Sequence, residues 1–319
     1  MSAAMKQETS VGWIDMAAIM RMDNLQWRAK RIVDGFHSGL HRSPRHGFSV
    51  EFSEYRPFSE GDDPRTIDWK LYARSDRYYI KKFEDETNRR CYLVVDQSQS
   101  MRHGTLSYTK LDYARTLAAT LAYYWNQQRD AVGLVTFDQT IADVLPARYR
   151  TGQLKRILTM LSRDSSGEAT NLEAPLRHLA ELVRHRSLIV IVSDFLVSPE
   201  PLKQALGFLG ARRHELLLIQ TLDPSEKRWM FDKPVMVQDL ESGREIFVDA
   251  AQAQKQYAAR FDQHQKSWSS MAGSLGIGWL SLETNESIEW ALWELLQRQQ
   301  RTGSGGAVPS RSIASQGAS

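Results

Sequence analysis

The run Leu93-Val-Val-Asp-Gln-Ser-Gln-Ser-Met101 restricts what this chain can become more than any other stretch. Its apolar residues read as a short buried strand, and the apolar character stops at an acid followed by two hydroxyls in alternation. Asp96, Ser98 and Ser100 stand at i, i+2 and i+4, so in a loop leaving a strand tip their side chains can converge on one point. Hard oxygen ligands suit Mg²⁺ (or Mn²⁺); magnesium wants near-octahedral geometry, keeps several waters and takes one or two carboxylates from a protein. Neutral serine ligands leave much of the divalent charge uncompensated, so the ion can still attract an anionic ligand from outside, such as a partner's Asp or Glu. Three groups from one loop cannot surround an octahedron, and two later residues are expected to join them. Thr170 lies in a loop before an apolar-periodic helix, and Asp194 follows the apolar run 187–192 in Val-Ser-Asp-Phe. Ser and Asp after a strand are also ordinary turn and cap residues, and Asp-x-Ser-x-Ser alone is a weak motif. The metal reading therefore leans on Thr170 and Asp194 standing at strand ends.

The rest of the chain supplies a sheet for such a site. Leu111, Ala114, Leu117, Ala118, Leu121, Ala122 and Trp125 recur at helical spacing, which predicts a helix over 110–128 packed on the first strand. A strand over 131–137 follows. Helices are expected around 154–161 and 172–183, then the strand before Asp194, a helix over 199–212 and a strand over 215–222. A hairpin over 235–249, a long helix through Ala253 to Met271, a strand over 279–283 and a helix over 287–300 complete the series. His264, on the apolar stripe of the long helix, reads as a packed or edge histidine. Strands alternating with helices argue for an α/β fold with a doubly wound, largely parallel sheet covered on both faces. In such a sheet ligands bind outside the carboxyl ends of the strands, where Asp96 and Asp194 are expected.

Upstream, residues 13–36 read as a helical segment with Met, Ala and Trp on one side and Arg21, Arg28, Lys30 and Arg31 on the other. That basic face is either solvated or meets an acidic partner or membrane surface. A loop is expected over 39–47; its histidines, with His37, lack the acidic or cysteine company of a metal site. Strands are expected over 49–58 and 78–83. Between them the charged block from Gly61 to Arg74 is either a partner-docking loop or a brace between the strands and the main domain.

Composition narrows the function. With 41 Lys and Arg against 38 Asp and Glu, a net charge of +3 does not predict a nucleic-acid binder. One cysteine, Cys91, excludes an internal disulfide and a multi-cysteine zinc site; it is expected to pack as a small apolar residue. No apolar run approaches the roughly 18 residues of a membrane span, and the N-terminus lacks a signal-peptide pattern, so a cytoplasmic location is expected.

Glu51-Phe52, Tyr55-Arg56, Gly61-Asp62-Asp63, Arg65, Ile67-Asp68-Trp69 and Ala73-Arg74, followed by Asp96-x-Ser98-x-Ser100-Met101, together resemble the domain-of-unknown-function family fifty-eight. Members of that family resemble von Willebrand factor A domains and are commonly associated with MoxR-type AAA+ ATPases. The resemblance covers about residues 39–300, and the block from Gly61 to Trp69 is its most specific part. It implies a fold of von Willebrand factor A type with a metal-ion-dependent adhesion site (MIDAS), whose positions are occupied by Asp96, Ser98, Ser100, Thr170 and Asp194. The organisation expected is an N-terminal helical segment over 1–38, a β-rich charged extension over 39–90, the main domain over 91–301 and a disordered tail over 302–319.

Neither a Gly-x-x-x-x-Gly-Lys loop nor His-Glu-x-x-His nor Gly-x-Ser-x-Gly occurs. The sequence thus points to a non-enzymatic, metal-dependent adaptor, working by resemblance with a MoxR-type ATPase on a client that presents an Asp or Glu. The alternatives are a Mg-dependent phosphohydrolase with Asp96 as nucleophile and a metal-free scaffold.

Overall fold

The structure is a computed structural model of the chain that describes residues 14–42, 55–57, 71–72, 78–81, 89–164, 172–227, 235–238, 245–248 and 250–303. By its internal contacts the chain divides into two units, one formed by residues 1–37 with 89–319 and the other by 38–88.

The larger unit is built on a six-stranded sheet. Its strands are β3 (Arg90–Asp96), β4 (Ala131–Phe137), β5 (Ile141–Arg148), β6 (Leu188–Ser193), β7 (Glu215–Leu222) and β10 (Gly278–Glu283), in the order β10-β7-β6-β3-β4-β5. All neighbours run parallel except β5, which closes one edge antiparallel to β4. The expected doubly wound, largely parallel sheet is therefore present. β6 is buried at every position, and β3 from Leu93 onward. That is why these strands read as unbroken apolar runs rather than alternating ones.

Helices cover both faces. α3 (Lys110–Gln127) packs on β3, β4 and β7 and against α4 (Gln153–Leu161). Its start is set by a capping box in which Thr109 and Asp112 exchange side-chain-to-backbone bonds. On the opposite face lie α5 (Glu173–Leu182), α6 (Lys203–Ala211) and α8 (Ala250–Ser274). Val94, Ile189, Ile191 and Leu218 of the sheet join Leu176, Leu179, Leu206, Trp268 and Met271 there in one core. Alternate residues of each strand serve alternate faces, and Cys91 is fully buried with a free thiol, as a small apolar residue would be. Further described elements of this unit are the short α7 (Pro224–Lys227), the hairpin β8 (Val235–Gln238) with β9 (Glu245–Val248), and α9 (Glu289–Gly303).

Four local expectations change. The helical segment expected over 13–36 is two helices, α1 (Met16–Met20) and α2 (Leu25–Arg42). Asn24 breaks it, its side-chain oxygen accepting from the N–H groups of Gln26 and Trp27 at 2.8 and 3.2 Å, an N-cap pattern. Arg28 leaves the expected basic face and turns inward, donating to the Met20 and Met22 carbonyls at 2.9 and 2.6 Å and to Thr116 at 3.3 Å. Helix α2 also runs through 39–42, where a loop was expected. Strand β5 was not expected at all. It contains Asp143 and Pro146 and keeps one side in solvent, and an edge is where a sheet tolerates proline.

In the smaller unit, Tyr55–Pro57 (β1) and Tyr79–Lys81 (β2) pair antiparallel, inside the two strands expected there. Tyr72 and Tyr78 stack with centroids 4.6 Å apart. The charged block over 61–70 and the pair Ala73-Arg74 lie outside the described residues.

The β4–β5 pairing shifts register between Val132 and Leu134. At Gly133 an added Cβ would stand 2.8 Å from the Ala147 nitrogen and 2.8 Å from the Leu145 oxygen. Gly133→Ala is expected to destabilise the domain by about 1–3 kcal/mol, measured by urea denaturation, whereas Gly210→Ala, with open space around it, should be neutral or slightly stabilising.

Candidate metal centre

β3 and β6 are neighbours, and Val95 pairs with Val192. That register sets Asp96 level with Ser193 and leaves Asp194 one residue further out, at the carboxyl edge of the sheet. Asp96 is fully buried, its two oxygens accepting from the Ser98 N–H at 2.9 Å and from the Ser193 hydroxyl at 2.6 Å. The Ser98 and Ser100 hydroxyls stand 3.1 Å apart. Ser98 is buried and Ser100, which opens a short 3₁₀ turn, is half-buried. Asp194 is 1% exposed, and the Lys110 ammonium donates to it at 2.8 Å. Four of the five expected ligands thus meet at one sheet edge; Thr170 lies outside the described residues.

Electrostatics mark the place. Burial first, then the charge of Asp194, push the Asp96 carboxyl up to about 7 against the hydrogen bonds from Ser193 and Ser98. Two carboxylates this close and this dry repel unless a cation sits with them. Two acids and two hydroxyls form a hard oxygen donor set of the kind that suits a small divalent cation, and the residues present fit one. No group of three His, Cys, Asp or Glu side chains gathers for a metal among the described residues. One of the two carboxylates already shares the ammonium of Lys110.

Asp194 is held by strain and by bonds. The next residue, Phe195, adopts φ of 48°, a left-handed conformation that costs an L-residue about 1–2 kcal/mol. Its ring packs edge-on against both Trp268 and Trp279, with centroids at 4.9 and 5.5 Å. His264 Nε2 lies 2.8 Å from the Phe195 carbonyl, which makes it the donor. Gln220 donates to the Asp194 carbonyl at 2.9 Å while accepting from Gln265 at 2.7 Å and Ser281 at 2.9 Å. His264 is thus an edge histidine, as its apolar stripe suggested, with a definite task.

Sequence reasoning missed Lys110, Ser193, Gln220 and Glu226. Ser193 is the one with a signal, because it precedes Asp194 at the tip of an apolar run. The others become neighbours only through the crossovers.

Next to this site, Asp223 at the end of β7 is fully buried. Its carboxylate accepts from the N–H and hydroxyl of Thr105 at 2.8 and 2.6 Å and from those of Ser225 at 2.9 and 2.6 Å. Burial pushes its carboxyl up, but the bonds from Ser225 and Thr105 outweigh that and hold it at about 2.

Fold and site together define an α/β domain with a doubly wound, largely parallel sheet and a cradle of acids and hydroxyls at the carboxyl ends of two central strands. The chain belongs to the family described as Protein of unknown function DUF58, which matches residues 54–267. It is similar to the uncharacterized protein Rv1480 of Mycobacterium tuberculosis, 29% identical over 276 residues that cover 85% of each chain. The uncharacterized protein MAV169 of Mycobacterium avium is 31% identical over 140 residues, 43% of this chain and 81% of the other. Among solved structures, the conserved hypothetical protein BatB of Bacteroides thetaiotaomicron aligns with a TM-score of 0.44 at 11% identity, covering 67% of this chain and 99% of that one. The SpRpn10 VWA domain aligns with a TM-score of 0.39 at 13% identity, covering 66% and 95%.

The pH dependence of stability tests the Asp223 cluster. Its folded value of about 2 lies below the ordinary 3.8, so its contribution is complete above pH 4 and is lost as pH falls toward 2. Asp223→Asn should cost about 1–3 kcal/mol at pH 7 and flatten that acid limb in urea unfolding followed from pH 2 to 7.

Proposed function

We propose that this chain is a non-enzymatic adaptor that binds another protein through a divalent cation. Asp96, Ser98, Ser100, Thr170 and Asp194 would hold Mg²⁺ (or Mn²⁺), and the ion would take a carboxylate from a client's Asp or Glu. One observation carries the reading: two buried carboxylates and two hydroxyls converge at the carboxyl edge of a parallel sheet, where such folds bind ligands. The hydroxyls among the donors favour an external anion, because they coordinate without neutralising.

The same geometry argues against the phosphohydrolase. A nucleophilic carboxylate needs an oxygen open to in-line approach by a phosphoryl group. Asp96 is fully buried, and both of its oxygens already accept hydrogen bonds at 2.9 and 2.6 Å. Ser98 and Ser100 stand where further metal-binding acids would be wanted.

By family resemblance, the partner is a MoxR-type AAA+ ATPase, and the task is assembly or activation of a protein complex in the cytoplasm. None of the helices among the described residues is long and apolar enough to cross a membrane. By its charge, the block from Gly61 to Arg74 would be a second place for a partner to dock.

The decisive experiment is capture of the MoxR-type ATPase and its client by wild-type chain and by Ser98→Ala, in Mg²⁺ and in EDTA. Client capture is expected in Mg²⁺ with wild type only, falling at least about tenfold in EDTA or in the variant. Equal capture under all four conditions would overturn the adhesion mechanism in favour of the metal-free scaffold. Turnover of a generic aryl phosphate that disappears in Asp96→Ala would favour the phosphohydrolase.

A further inference from the structure

Lys110 stands where neither helix stability nor solubility accounts for it. It opens α3, at the end where unpaired backbone N–H groups concentrate positive charge and a lysine is disfavoured. Its side chain is fully buried, and burying an ammonium costs several kcal/mol unless it is well paired. Nζ donates to Asp194 Oδ2 at 2.8 Å and to Glu226 Oε1 at 2.5 Å. Glu226 accepts from the Asp223 N–H through its other oxygen at 2.8 Å, and the Tyr257 hydroxyl donates to its carbonyl. The lysine therefore joins the candidate cation site to the corner between β7 and α7.

We infer that Lys110 is a built-in counterion of the cation site, which weakens the site for a divalent cation until a partner supplies a further carboxylate. The inference rests on the metal reading above and deepens it. Asp96 and Asp194 bring at most two negative charges, and the ammonium offsets one of them. A divalent cation held there remains under-neutralised, with a second positive charge beside it. Such a site draws in an external carboxylate more strongly than an all-acid cage would, and by reciprocity the carboxylate strengthens cation binding by the same factor. Glu226 tempers the effect, because it shares the ammonium with Asp194.

Two substitutions with opposite expected effects separate this role from simple support of the fold. Full-length wild type, Lys110→Met, Glu226→Gln and Asp96→Ala would be titrated with Mn²⁺ alone, with binding followed by electron paramagnetic resonance and folding checked by circular dichroism. Lys110→Met is expected to bind Mn²⁺ at least about tenfold more tightly than wild type. Glu226→Gln should bind several-fold more weakly, because Lys110 then pairs with Asp194 alone. Acetate, a minimal carboxylate, should tighten Mn²⁺ binding in wild type and do so less in Lys110→Met.

Wild type that binds Mn²⁺ while Lys110→Met binds it equally or more weakly overturns the counterion role and leaves the metal site standing. Equal tightening by acetate in both proteins overturns the coupling to a carboxylate. If wild type and Lys110→Met bind no more Mn²⁺ than Asp96→Ala, the metal reading falls and this inference with it. Should Lys110→Met fail to fold, Glu226→Gln decides alone, and an unchanged affinity there overturns the proposal.

Discussion

The pairing of β3 with β6, each buried by helices on both sides, is the constraint on which the rest depends. A parallel pair brings both carboxyl ends to one edge of the sheet, and the Val95 to Val192 register decides which residues meet there. It sets the Ser193 hydroxyl against Asp96 at 2.6 Å and leaves Asp194 just beyond. Shifting the register by a single residue would turn every apolar side chain of a strand to the other face. The packing that protects the core therefore also protects the geometry of the site.

That geometry has an electrostatic cost, which the structure spreads over several residues. Asp96, Asp194, Glu226 and Asp223 gather at the ends of three neighbouring strands and the turn after them. Asp223 is satisfied by four short hydrogen bonds from Thr105 and Ser225. Lys110 stands between Asp194 and Glu226, and the two carboxylates overcome the burial that would otherwise strip its proton, raising its affinity for it. Among the described residues Asp96 has hydroxyl and N–H donors but no ammonium. It lies beside the two serine hydroxyls, an arrangement a small cation would complete.

Strain is concentrated next to this group. Phe195 is left-handed immediately after Asp194, and the stacked pair of Trp268 and Trp279, 5.3 Å apart, leaves its ring no alternative. The aromatic cluster belongs to the core under α8, so helix packing on one face of the sheet fixes the direction of a carboxylate at its edge. This route connects the distant helix α8 to the site without any residue of that helix being a ligand.

Most of the fold was legible because burial leaves a periodic mark. The apolar runs of β3 and β6 and the helical spacing of Leu111 to Trp125 are imposed by local geometry, and so is an acid at the end of each run. Strand β5 left no such mark, because an antiparallel edge with one wet face tolerates Asp143 and Pro146. The break at Asn24 was an ordinary cap inside an apolar segment. Of the site, Asp96, Ser98, Ser100 and Asp194 follow from the sequence by itself, since each is a polar residue at or just past a strand tip. Lys110 and Glu226 do not, for they lie 84 and 32 residues from Asp194 and touch it or its partner only after two crossovers are wound. Sequence determines where a chain must change from apolar to polar; only the tertiary structure decides which charges then share a space too dry to screen them.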